Sequence, residues 1–158
     1  HVLIFASSIK SVREIKRTLN KAGMKASEMH SGLDQNEREK TIRDFKSKKI
    51  RILVATDILS RGIDIQEIEL VINYEVPHDA EDYVHRIGRT ARADKTGEAI
   101  TFINPKQVRN FMDIEELIEK EVPKLALPKG FEKAPEYKII PRNKKKKKRN
   151  WHKKKNIK

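Results

Sequence analysis

Two hydrophobic rhythms alternate along the first 121 residues. Val2 to Ala6 is an unbroken apolar run of the length expected for a buried strand. Ile9, Val12, Ile15, Leu19 and Ala22 then recur at helical spacing, after Ser7 and Ser8 as candidate N-caps and before Gly23 as a stop. A short strand is expected from Lys25 to Met29. After the loop His30-Ser31-Gly32-Leu33, Asp34 and Glu37 have the spacing of a capping box and open a helix that buries Thr41, Ile42 and Phe45. Ile50 to Ala55 predicts a third strand, Leu70 to Tyr74 a fourth and Gly97 to Ile103 a fifth. A helix from about Lys106 to Glu121, with Val108, Phe111, Ile114, Leu117 and Ile118 inward, is expected to close the unit before Pro123.

Short apolar strands alternating with amphipathic helices predict an α/β fold with a mainly parallel sheet covered on both faces. Such sheets bind ligands beyond the carboxyl ends of their strands. The loops after Ala6, Met29, Ala55 and Tyr74 are therefore expected to share one functional edge.

Charge changes the picture at the C-terminal end. The chain has 158 residues and a net charge of +13, yet residues 142–158 hold eleven cations and no acid, which leaves the rest near neutral at +2. A segment of that kind cannot offset its own repulsion by burying apolar surface, and it is expected to be disordered until it meets a polyanion. Trp151, between two of its basic runs, is either a base-stacking side chain or an incidental exposed aromatic. Between body and tail, Pro123, Pro128, Pro135 and Pro141 break any long helix, so residues 122–141 read as an extended connector and residues 1–121 as the folded lobe.

There is no cysteine, which excludes a disulfide framework or thiolate metal site and fits a reducing, cytoplasmic setting. No apolar run approaches the ~18 residues of a membrane span, so no membrane partner is expected. No secretion signal is visible. The chain opens on His1 and enters a strand at once, which reads as a cut fragment with an upstream part missing.

Three clusters carry candidate chemistry. In Asp82-Tyr83-Val84-His85-Arg86-Ile87-Gly88-Arg89-Thr90-Ala91-Arg92, three arginines stand three residues apart after an expected helix start, with Gly88 freeing the backbone between them. Guanidinium groups stay charged and grip two phosphate oxygens at once, so the cluster suits a phosphoryl group; the plainer reading is a solvated basic helix end. In Ala55-Thr56-Asp57-Ile58-Leu59-Ser60-Arg61-Gly62-Ile63-Asp64, Thr56 offers a hydroxyl at an expected helix start. Asp57 is either an N-cap or a partner of Arg61, and Asp64 follows a glycine that leaves its carboxylate free for a diol. Gln35-Asn36-Glu37-Arg38 sets a carboxamide and a guanidinium on one helical turn, where such residues are commonly just solvated.

Taken in order, Phe5-Ala6-Ser7-Ser8, His30-Ser31-Gly32 with Gln35 and Arg38, Thr56 to Asp64, and His85-Arg86-Ile87-Gly88-Arg89-Thr90-Ala91-Arg92 resemble motifs IV, Q-x-x-R, V and VI of the DEAD-box RNA helicases. The likeness covers residues 1 to about 121, and the basic tail with Pro128-Lys129-Gly130-Phe131 is similar to bacterial RhlE-type members. It implies a RecA-like three-layer α/β/α lobe, the second of a two-lobed motor that closes on ATP and RNA. By motif, Arg89 and Arg92 would be arginine fingers on the γ-phosphate, Asp64 would contact the ribose, and Gly62, which with Arg61 would shape motif V, would belong to the same ATP site. His85 and Arg86 would contact the N-terminal RecA-like lobe, and Arg38, Gln35, Thr56 and the Ser7-Ser8 loop would lie along RNA. Ala91 departs from a frequent glycine.

No G-x-x-x-x-G-K loop and no Asp-Glu-Ala-Asp occurs in the 158 residues. The resemblance therefore implies that the β-phosphate and magnesium are held by the other lobe, and that this chain alone does not hydrolyse ATP. Two alternatives stand beside the helicase lobe: a non-enzymatic RNA-anchoring or annealing module, and a lobe of a DNA-directed superfamily-two motor.

Overall fold

The computed structural model describes residues 1–57, 68–90, 97–131 and 137–139. Its elements follow the order β1 (Val2–Phe5), α1 (Ile9–Lys21), β2 (Ala26–Met29), α2 (Gln35–Lys46), β3 (Ile52–Ala55), β4 (Leu70–Asn73), α3 (Ala80–Ile87), β5 (Glu98–Thr101) and α4 (Val108–Leu117). The five strands form one parallel sheet in the order β2-β3-β1-β4-β5.

Alternation along the strands divides the core. Leu3, Phe5, Leu53 and Ala55 pack with Met29 and Phe45 on the α2 side. Their neighbours Ile4, Ala6 and Val54 pack with Val12, Ile15 and Leu19 of α1 on the other side. The period of two in β1 and β3, met by helices on both faces, makes the three layers. A third cluster joins α3 to α4 through Val76, Tyr83, Phe111 and Ile114.

Local chemistry sets the helix ends. Ser8 caps α1, its Oγ accepting from the Ser11 N–H at 3.0 Å. Gly23 follows the helix at a φ of +79°, a left-handed conformation that glycine adopts without a steric penalty. The capping box at α2 is complete: Asp34 Oδ1 accepts from the Glu37 N–H at 2.8 Å, and Glu37 Oε2 accepts from the Asp34 N–H at 3.0 Å.

The closing helix is shorter than its pattern predicts. It ends at Leu117, and Glu119 turns the chain at a φ of 51°. Leu117 is 48% exposed rather than inward, because it lies about 120° around the helix from Phe111, while Ile114 and Ile118 stay near the inward stripe.

The expected connector carries no helix or strand over residues 122–131, but its start is strapped to the body. Val122 donates its N–H to Glu115 Oε1 at 2.7 Å, and the Lys124 ammonium bonds Glu115 and lies over the rings of Phe111 and Tyr137. Tyr137 packs on the α3–α4 cluster, so the body's packing reaches past residue 121. Among the described residues no helix is long and apolar enough to cross a membrane. Residues 142–158, with Trp151, lie outside the described residues.

Candidate functional site

The four loops expected on one edge do share it. Register sets Phe5 level with Ala55 and Asn73, and Met29 level with Ala55, so the carboxyl ends of β1, β2, β3 and β4 finish together. The ladders run one residue further: Ala6 N–H donates to Ala55 O, Thr56 N–H to Met29 O and Tyr74 N–H to Phe5 O, at 2.9, 3.1 and 2.9 Å. Ser7, exposed just beyond β1, donates its N–H to Glu75 Oε2 at 2.8 Å, which ties the loops after β1 and β4.

α3 brings the arginine segment to this edge. Asp79 caps it by accepting from the Glu81 N–H at 3.1 Å, and Tyr83 and Arg86 form its buried side. Arg86 is 2% exposed, and each nitrogen of its guanidinium is engaged. Nε and Nη2 donate to the two carboxylate oxygens of Asp57 at 2.6 and 2.8 Å, a bidentate pair. Nη1 donates to Asn73 Oδ1 at 3.2 Å and to Glu75 O at 3.3 Å, and the group stacks 5.0 Å from the centre of the Phe5 ring. Asn73, fully buried, passes the network on by donating to Thr101 Oγ1 at 3.1 Å.

This corrects the expectation that Arg86 reaches a neighbouring lobe. Buried and bonded through every guanidinium nitrogen inside the fold, Arg86 is a strut that locks α3 against the ends of β1, β3 and β4. Asp57, for which capping or a pair with Arg61 was expected, is the other half of that strut. Spacing along the chain hides such a partner, since 29 residues separate the two. Period does betray Arg86, because it falls three residues after Tyr83 on the apolar stripe of α3.

Beyond the strut the helical turn continues. Arg89 N–H donates to Arg86 O at 3.2 Å and Thr90 N–H to Ile87 O at 2.9 Å, so Arg89 follows one turn after the anchored Arg86. Gly88 takes an ordinary right-handed conformation, φ −60° and ψ −3°, so extra backbone freedom is not its contribution. Glycine is needed at Gly97 instead: a Cβ there would lie 2.4 Å from Thr90 Cβ and 2.8 Å from Thr90 O. That close approach fastens the end of the arginine segment to the start of β5. His85 is exposed and Arg89 half-buried. Arg92, Ala91, Asp64, Gly62 and Arg61 lie outside the described residues.

The α2 pair is also placed. Arg38 Nη2 donates to Ser31 O at 2.8 Å and braces the loop after β2, where Gly32 N–H donates to His30 Nδ1 at 3.1 Å. Gln35 is exposed and donates to Glu39 Oε1 at 2.9 Å. Arg38, on α2, thus braces the loop at the end of β2 and Ser7 lies in the loop at the end of β1, with Thr56 at the end of β3 between them in the sheet. Among the described residues no group of three His, Cys, Asp or Glu side chains is arranged to hold a metal ion.

The helicase conserved C-terminal domain family matches residues 1–94. The chain belongs to that family. Within it, this helicase C-terminal domain is similar to the ATP-dependent RNA helicase DBP8 of Scheffersomyces stipitis, 41% identical over 120 residues, which are 76% of this chain and 27% of that protein. A crystal structure of a DEAD box protein from Methanococcus jannaschii superposes with a TM-score of 0.75 at 45% identity, over 79% of this chain and 34% of that one. Dbp5 of S. cerevisiae, in a structure bound to RNA and ADP BeF3, gives a TM-score of 0.69 at 32% identity, over 73% of this chain and 31% of that one. The fold is thus that of a RecA-like DEAD-box C-terminal lobe, and the chain spans about a quarter to a third of the length of these relatives.

Proposed function

We propose that this lobe is half of an ATP-dependent RNA helicase, working with an N-terminal RecA-like lobe of the same protein. The observation that carries the reading is the Arg86–Asp57 strut. It holds the H-R-I-G-R helix end rigid at the carboxyl edge, so that the guanidinium one turn later is presented by a fixed element. Preorganised positive charge of this kind stabilises a transferring phosphoryl group without reorganisation during the reaction.

In this reading Arg89 and Arg92 face the γ-phosphate, Asp64 takes the ribose, and Gly62 belongs to the same ATP site. The donor set fits a nucleotide in part: cations and a diol acceptor are present in the sequence, and the phosphate loop and magnesium ligands are not. ATP with magnesium would be held mainly by the N-terminal lobe, which His85, exposed on α3, would touch. Ser7, Thr56, Gln35 and Arg38 would follow the RNA backbone, a role supported by their place on or beside adjoining strand ends. The complex of S. cerevisiae Dbp5 with RNA and ADP BeF3 supports the same ligands here.

Three finer readings belong with this proposal. The body, residues 1–121, is the working lobe and the basic end, residues 142–158, an RNA-binding tail. The subgroup, bacterial RhlE-type, rests on that tail and on Pro128-Lys129-Gly130-Phe131. The location is cytoplasmic, consistent with a chain free of cysteine.

The test is turnover. The 158-residue chain alone should show no RNA-stimulated ATPase, and the protein carrying an N-terminal lobe should show it, with RNA more effective than DNA of the same sequence. Turnover by the chain alone would refute the incomplete site. Equal stimulation by DNA would favour the DNA-directed motor, and RNA binding without turnover in the two-lobe protein would favour an anchoring module.

A further inference from the structure

α1 carries a lopsided charge. Its inward stripe, Val12 with Ile15 and Leu19, packs on the sheet, and the rest of the helix holds Lys10, Arg13, Lys16, Arg17 and Lys21 against one acid, Glu14. Arg13, Arg17 and Lys21 stand four residues apart in one row, a spacing at which like charges repel. All three are exposed, and none has a carboxylate at ion-pair distance among the described residues. Lys16, by contrast, is neutralised by Glu28 at 3.1 Å.

The row lines a groove of about 530 Å³ between α1 and the edge strand β2, made by Arg13, Lys16, Arg17, Asn20, Lys21 and Glu28. The junction is rigid. Asn20 Oδ1 accepts from the Ala26 N–H at 2.9 Å and Nδ2 donates to Ala26 O at 3.3 Å, so the end of α1 is clamped to the start of β2. Glu28 is the acid lining the groove, and its charge is taken by Lys16. The row begins on the turn after the Ser8 cap, and at the helical rise it extends over about 12 Å.

We infer that this groove is a second phosphate track. The backbone of an RNA strand passing the Ser7-Ser8 loop continues along α1, where Arg13, Arg17 and Lys21 meet successive phosphates. The inference rests on the reading of the carboxyl edge as RNA-facing and adds a contact outside it. A repeating anion matches a repeating row of cations, and two of the three are guanidinium groups able to grip paired phosphate oxygens. Such contacts extend the bound length without adding sequence preference.

A salt titration with the full chain and a long single-stranded RNA tests this. Arg13→Gln, Arg17→Gln and Lys21→Gln together should flatten the slope of log affinity against log salt by about 2, from roughly 0.7 per single-strand phosphate contact. The same charge change at exposed Lys106, Lys120 and Lys129 should leave the slope near that of the wild type. An unchanged slope in the α1 variant, or an equal fall in the control, would overturn the track. Arg38→Ala separates the two readings. If it weakens binding while the α1 variant does not, the edge stands and the groove is refuted; if the α1 variant alone weakens binding, the edge reading falls and the continuous track falls with it.

Discussion

Removing the carboxylate from the Arg86–Asp57 pair is expected to destabilise the lobe well beyond a surface salt bridge. The Arg86 side chain is 2% exposed and that of Asp57 40%, so Asp57→Ala strands a charge that water reaches poorly. Stranding one member of a buried pair costs roughly 3 to 5 kcal/mol, and the exposed flank of Asp57 points to the lower end, about 3 kcal/mol. With a urea slope of about 2 kcal/mol/M for a domain this size, the midpoint should fall by about 1.5 M. Arg86→Met should cost less, about 1 to 2 kcal/mol, because the carboxylate left behind can turn to solvent while Asn73 loses one donor. The double variant should lie close to Arg86→Met alone, since the penalty of Asp57→Ala is the stranded guanidinium. Urea unfolding followed by circular dichroism reads all three. An Asp57→Ala midpoint matching wild type, or additive effects in the double variant, would refute the strut.

Three more outcomes follow from the packing and the caps. Gly97→Ala should lose about 1 to 3 kcal/mol, since its Cβ would collide with Thr90; a wild-type melting temperature would contradict the close approach. Asp34→Ala should cost about 1 kcal/mol by opening the α2 capping box, checked by urea midpoint, and an unchanged midpoint would deny the cap a role. Burial raises the Tyr83 phenol above its ordinary 10.0, with a hydrogen bond to Thr101 opposing it in part. The neutral form is therefore favoured by folding, so this contribution is complete below pH 10 and is lost as pH rises through the raised value. Tyr83→Phe should flatten the alkaline limb of melting temperature against pH, and an unaltered limb would remove Tyr83 as its cause.

Much of the architecture was legible because it is local. The short apolar runs at Val2–Phe5 and Ile52–Ala55, the spacing of Ile9 to Leu19 and the Asp34/Glu37 pair each depend on neighbours within a few residues, and all three appear in the fold. The common edge was legible too, since parallel strands send all their carboxyl ends to the same side of the sheet. Side-chain direction in the arginine segment was not. The three-residue spacing groups Arg86 with Arg89, but helical period turns it inward with Tyr83, and its partners Asp57, Asn73 and Glu75 come from the carboxyl end of β4 and from the chain just beyond β3 and β4. Arginine is solvated by default, so its residue type speaks against burial and only its helical phase relative to Tyr83 speaks for it. Leu117 failed for the same reason on a smaller scale: an apolar residue near a helix end was assigned inward by type, while its angle put it outside. The strap of Val122, Lys124 and Tyr137 on α4 was hidden by the prolines around it, which speak for an irregular path and say nothing of what that path packs against.

The most direct test of the central claim is the RNA-stimulated ATPase rate of the two-lobe protein bearing Arg89→Ala or Arg92→Ala. An arginine at the γ-phosphate is worth about a thousandfold or more in rate. Each variant is therefore expected to lose turnover by at least that factor while its urea midpoint stays at the wild-type value. Wild-type turnover in either variant would contradict the assignment of that guanidinium to the nucleotide, and in both would end the account of this lobe as the cationic half of an ATP site.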